Sequence, residues 1–206
     1  MPFQTVVNRN FTAGFVGDIA ADGPLRAKVG RIKASTFAGA TREKGAVVGR
    51  AFGYVGTVPA TGTTQAANVP VVEVGGKNFA GVLFHPKHYV LQGTQAGGAL
   101  APSLEVPAGT EGEFADMVIM FASLINYTTA SQTVLAGAQI AYVPSDITAE
   151  NDALLLPIGA LITVPEGVAI PAGYVLIKNA KVMNPVTIGA SAAGALVAAT
   201  TSIQLT

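Results

Sequence analysis

The sequence predicts an all-β protein, a sandwich or a barrel, and three observations carry that prediction. Val and Ile (24 and 12) outnumber Leu (14), and Thr adds 19 more β-branched side chains. Branching at Cβ restricts χ1 on a helix and suits a pleated, half-buried surface. Charged residues make up only 12% of the 206, too few to give amphipathic helices their outer faces. Glycine (24) and proline (12) recur throughout, leaving short strands between turns. A chain of this length holds one large β domain, or one domain and an arm.

The elements follow in order. Residues 1–45 lack long apolar runs and are broken by Gly14, Gly17, Gly23, Gly30, Gly39 and Gly45. From Leu25 to Val29 the pattern alternates, with Arg26 and Lys28 opposite Leu25, Ala27 and Val29. Gly30 then shifts the phase, which is how a β-bulge would look. A helix over 25–33 is the rival, and Gly30 weakens it by roughly 1 kcal/mol. Beyond Gly45, strand signals fall at 46–58, 69–74, 80–84, 88–91, 114–125, 133–135, 138–143, 154–164, 174–183 and 195–205. Residues 117–125 are apolar on both faces and predict a central strand. The Gly75-Gly76-Lys77-Asn78 step reads as a hairpin turn. Four apolar-Pro-X-Gly units (Val106 to Gly109, Leu156 to Gly159, Val164 to Gly167, Ile170 to Gly173) predict tight turns. Proline then takes the second turn position and glycine the fourth.

Net charge is zero but unevenly placed. Residues 1–50 carry eight cations and three anions, and residues 51–206 four cations and nine anions. Such segregation suggests that the two parts face different surroundings. There is no cysteine, which excludes disulfides, thiolate metal sites and cysteine nucleophiles. The first residues show neither the basic nor the apolar region of a signal peptide. The uncharged stretches 117–145 and 182–206 are interrupted by polar residues, so no membrane span or membrane partner is expected.

Catalytic chemistry is thinly represented, and no enzyme, catalytic residue, cofactor or metal is expected. His85 and His88 are the only histidines; three apart on an extended chain, they point to opposite faces. The run Gly189 to Gly194 misses a nucleophile elbow by one residue. Glu111, Glu113 and Asp116 read as an exposed acidic edge rather than an acid–base pair. Asn10 and Asn126 begin glycosylation patterns, which mean little without a secretory signal. Nucleic acid is not an expected partner, because no Arg/Lys stripe accompanies the overall pI of about 6.7. A glycan-binding module on a virion is the alternative, but it would want exposed aromatics, and the chain has no Trp and five Tyr.

The opening of the chain resembles that of the structural cement (capsid decoration) proteins of tailed bacteriophages. The resemblance rests on Met1-Pro2-Phe3-Gln4-Thr5, Phe15 to Ala20, Pro24 to Val29 and Gly45 to Tyr54, and more loosely on Val82 to Leu91 and Val106 to Ser123. It covers roughly the first 143 positions, and Gly53-Tyr54 stands where the family has a Trp. It implies an antiparallel β-sandwich of jelly-roll type with an extended N-terminal arm. Residues 1–45 would be the arm docking on the capsid, and 46–206 the sandwich. Residues 144–206 would then complete the sandwich or form an oligomer surface. The implied partner is the major capsid protein, bound at the outer surface of the head, by a dimer or trimer made in the host cytoplasm. The expected capsid-binding residues are Phe3, Arg9, Phe11 and Phe15 as an apolar tip with one charge, followed by the basic Arg26, Lys28, Arg31 and Lys33.

Overall fold

A computed structural model of the chain describes residues 16–33, 46–57, 69–84, 106, 109–148 and 150–206. The described residues form eleven strands: β1 (Arg26–Ile32), β2 (Ala51–Thr57), β3 (Pro70–Val74), β4 (Asn78–Leu83), β5 (Glu111–Ile125), β6 (Gln132–Val134), β7 (Gln139–Tyr142), β8 (Leu161–Val164), β9 (Val175–Val182), β10 (Val186–Ile188) and β11 (Ala198–Leu205). Nine make one sheet in the order β1-β3-β2-β4-β5-β11-β9-β7-β8, and pairing of β1 with β5 closes the first five into a barrel. Strands β6 and β10 form a separate two-stranded sheet. The all-β expectation holds. The two facing sheets of a jelly roll are not what this order shows; the architecture is a closed barrel extended by further strands.

The long central strand explains the arrangement. The first half of β5 pairs with β1 and β4, and its second half pairs with β11 from Val118 to Ile125. It also meets β8 in parallel at Leu124 and Leu161. One set of buried residues (Ile32, Phe52, Val72, Phe114) fills the barrel side and continues to Leu156 and Ile162. Another (Met120, Leu124, Ile140, Tyr142, Ile203) fills the opposite side. The rings of Phe52 and Phe114 lie 4.8 Å apart and tilted, a favourable aromatic geometry.

Strand β1 confirms the extended reading of residues 25–33 over the helical one, but moves the bulge. A Cβ on Gly30 would sit 3.0 Å from Val72 and 3.2 Å from Phe114. Glycine is therefore there to make room, and the phase does not break at it. The register slips instead between Arg26, opposite Met117, and Ala27, opposite Ala115, leaving Asp116 as the extra residue of β5.

The 75–78 step is not a hairpin. Strands β3 and β4 both pair with β2, one on each side of it. The connection therefore passes over β2, where Gly53 and Gly76 meet backbone to backbone. A Cβ on Gly53 would run into the Gly76 carbonyl, so the close crossing demands glycine. Three of the Pro-X-Gly turns form, but one residue out of the expected frame; the fourth, through Pro107 and Ala108, lies outside the described residues. Ala160, Val168 and Tyr174 donate to the carbonyls of Pro157, Pro165 and Pro171, which makes proline the first turn residue. Glycine is then third, with φ of 75°, 78° and 90° at Gly159, Gly167 and Gly173, as a type II turn requires. The first of these turns shortens the strand expected at 154–164 to β8. Strand β10, three residues long, was not among the expected strands. The expected strand at 88–91 lies outside the described residues. Residues 144–206 supply β8, β9, β10 and β11.

Candidate functional site

The expected basic surface starts on β1, and the structure gives its charges partners. Arg26 Nε lies 2.6 Å from Asp116 Oδ1 and Lys28 Nζ 2.7 Å from Oδ2, so both oxygens of one carboxylate are held. The slip in register is what places Asp116 between them. Lys33 Nζ lies 3.2 Å from Glu73 Oε2, and Arg31 stands opposite Glu111 across the β1–β5 ladder. Desolvation acts to raise the pKa of Asp116, but the hydrogen bonds and charges of Arg26 and Lys28 together outweigh it and hold the carboxyl below its ordinary value. Three of the four basic residues are thus tied to acids from residues 51–206. The charge asymmetry of the sequence is in part an internal pairing.

Upstream of β1 the chain continues along the same edge of β5. Gly17 N–H donates to Phe121 C=O, Phe121 N–H to Asp18 C=O and Ala20 N–H to Ile119 C=O, each within 2.9 Å. Beside this line stand three large apolar residues that remain about half exposed: Ile19 (49%), Leu25 (50%) and Val29 (48%). Leu25 and Val29 belong to the apolar row of the alternation already visible in the sequence. Its importance was hidden because nothing local shows that the basic row is occupied by Asp116. Phe3, Arg9, Phe11 and Phe15 lie outside the described residues, as do His85 and His88.

The glycosylation candidate Asn126 has structural partners. Asn126 is fully buried. Its Nδ2 donates to the carbonyls of Ala130 (2.6 Å) and Gly189 (2.7 Å), and its Oδ1 accepts from the Thr128 N–H and hydroxyl. With both donor positions taken in the interior, it is no glycan acceptor in the folded chain. Among the described residues no three His, Asp or Glu side chains converge as metal ligands would.

A barrel closed by a basic strand, its charges bound to the chain's own carboxylates and an apolar row left half open beside them, defines a β protein built around a surface. A family model described as structural cement protein (E217 gp24/Pam3 gp6) matches residues 3–202. The chain belongs to this phage structural cement family. The match runs well past position 143, so the strands from β8 onward fall largely within the family's pattern. No curated protein matches the chain.

Proposed function

We propose that the chain is a capsid cement protein that binds the outer surface of the phage head, bridges neighbouring major capsid protein subunits and so opposes the outward pressure of packaged DNA. The observation that carries this reading is the half-exposed apolar row of Ile19, Leu25 and Val29 on a line anchored to β5. Apolar groups held open on a rigid strand are economical anchors, because little conformational entropy is lost when they are covered. Arg26, Lys28 and Asp116 together keep one net positive charge, while Arg31 stands opposite Glu111. Attraction to an acidic capsid therefore accompanies the apolar contact rather than replacing it. The expected capsid-binding residues Phe3, Arg9, Phe11 and Phe15 belong to the same proposal as further anchors. Repetition on a symmetric lattice multiplies modest contacts.

The double variant Leu25→Asp/Val29→Asp tests the docking face. Both side chains are half exposed, so the fold is expected to survive, with a Tm close to that of the parent. Co-sedimentation with heads lacking the protein should show occupancy reduced by about tenfold or more, the equivalent of about 1.4 kcal/mol. Full occupancy by a folded double variant would sink the assignment of this face.

A further inference from the structure

Arg26, Lys28, Arg31 and Lys33 stand in close succession on β1 and its end. The side chains of Arg26, Lys28 and Lys33 are about half exposed (54%, 46% and 49%), so an approaching anion can reach them. Clustered Lys and Arg on an open surface attract phosphate backbones whatever their sequence. Yet each of these cations is met by a carboxylate of the chain itself. Arg31 stands opposite Glu111, and Lys33 lies 3.2 Å from Glu73. Asp116 serves two cations at once, holding Arg26 at 2.6 Å with one oxygen and Lys28 at 2.7 Å with the other. It can do so because it is the extra residue of β5, where the register slips between Arg26 and Ala27. Its side chain is only 12% exposed, so the carboxylate lies behind the cations as seen from solvent. Desolvation there opposes ionisation, but the two cations outweigh it and hold the carboxyl below its ordinary pKa. The negative charge is therefore in place at neutral pH.

We propose that Asp116 is a specificity-determining residue that masks Arg26 and Lys28 and so keeps the chain off nucleic acid. Charges act over a Debye length of about 10 Å at roughly 0.1 M salt. A phosphate drawn to either cation therefore meets the carboxylate as well, and it competes with that carboxylate for the same donors. Two cations and one carboxylate present one net charge in place of two. Each phosphate contact forgone removes a share of the sequence-independent affinity for nucleic acid. Discrimination of this kind weakens the wrong complex and leaves the apolar row of Leu25 and Val29 untouched. For a chain of a phage structural family, DNA is the polyanion closest at hand. The masking role does not depend on head binding.

Asp116→Asn and Asp116→Ser each remove the charge, and a thermal melt of the full-length variant first establishes that it is folded. A short fluorescent DNA duplex is then titrated with parent and variants, followed by anisotropy at salt from about 50 to 200 mM. Both variants are expected to bind about tenfold more tightly than the parent at the low end. Their log–log salt slope should be steeper by about one to two, the mark of one or two added phosphate contacts. Adding Arg26→Gln and Lys28→Gln to Asp116→Asn should return binding to the parent's level or below. Equal binding by the parent and both charge-removed variants overturns the proposal. A gain that survives the loss of Arg26 and Lys28, as a loosened fold would give, overturns it too. Heads play no part in this titration, so a negative result leaves the cement function standing.

Discussion

Tyr142 sits where the β3–β4 crossing meets the second half of the sheet. Its ring is fully buried, and its hydroxyl donates to the Gly76 carbonyl at 2.6 Å. Desolvation pushes its pKa up to about 12. Replacing it with Phe leaves that carbonyl buried without this donor, so Tyr142→Phe is expected to lose roughly 1–3 kcal/mol at neutral pH, measured by denaturant unfolding. A raised pKa means that the native phenol holds its proton after the unfolded one has begun to lose it, near the ordinary value of 10.0. The stabilisation it brings is complete below that value and fades as pH climbs toward about 12. The gap between parent and variant should therefore narrow above pH 10. The sequence showed Tyr142 on a strand but not its partner. A tyrosine announces that its hydroxyl needs an acceptor when buried, and nothing announces which loop will cross above it, 66 positions away.

Strands were legible from their apolar runs, short ones such as β6 and β7 included, and their register was not. The pairing of β1 with β5 turns on the one extra residue at Asp116, and an acidic residue on an acidic stretch carries no sign that two cations from elsewhere will hold it. Asp116→Asn keeps an acceptor for them but loses the charge. Because the native carboxyl is held below its ordinary pKa, it contributes fully above pH 3.8 and loses that contribution as pH falls through the depressed value. The variant is expected to melt a few degrees lower than the parent at neutral pH, with the difference shrinking as pH falls below 3.8. Added salt should shrink it too, since both cations are about half exposed. Thermal melts across pH and salt check both trends. The Pro-X-Gly turns show the same division. Their positions were plain, but their frame was set by the positive φ of each glycine, which residue order alone does not reveal.

At the scale of the whole molecule, the all-β class followed from composition and the closure of the barrel did not. Closure depends on β1, a strand from the part of the chain set apart by its charge. A chain beginning near Gly45 would lack it. The edges of β3 and the first half of β5 would then lie open, with Val72 and Phe114 bared beneath them. Such a truncation is expected to lose its cooperative thermal transition and to bind a hydrophobic dye, so lost head binding in it would not report on docking alone. A cooperative melt like the parent's would contradict the place given to β1. The same dependence has a mechanical side. Strand β1 grips one half of β5 over six paired positions, and β11 grips the other half over eight. A pull that holds the molecule by β1 at one end and β11 at the other passes lengthwise through β5. Its ladders are then loaded in shear, where all rungs share the force, rather than unzipped one rung at a time. A single uninterrupted strand thus becomes the tension member of the fold.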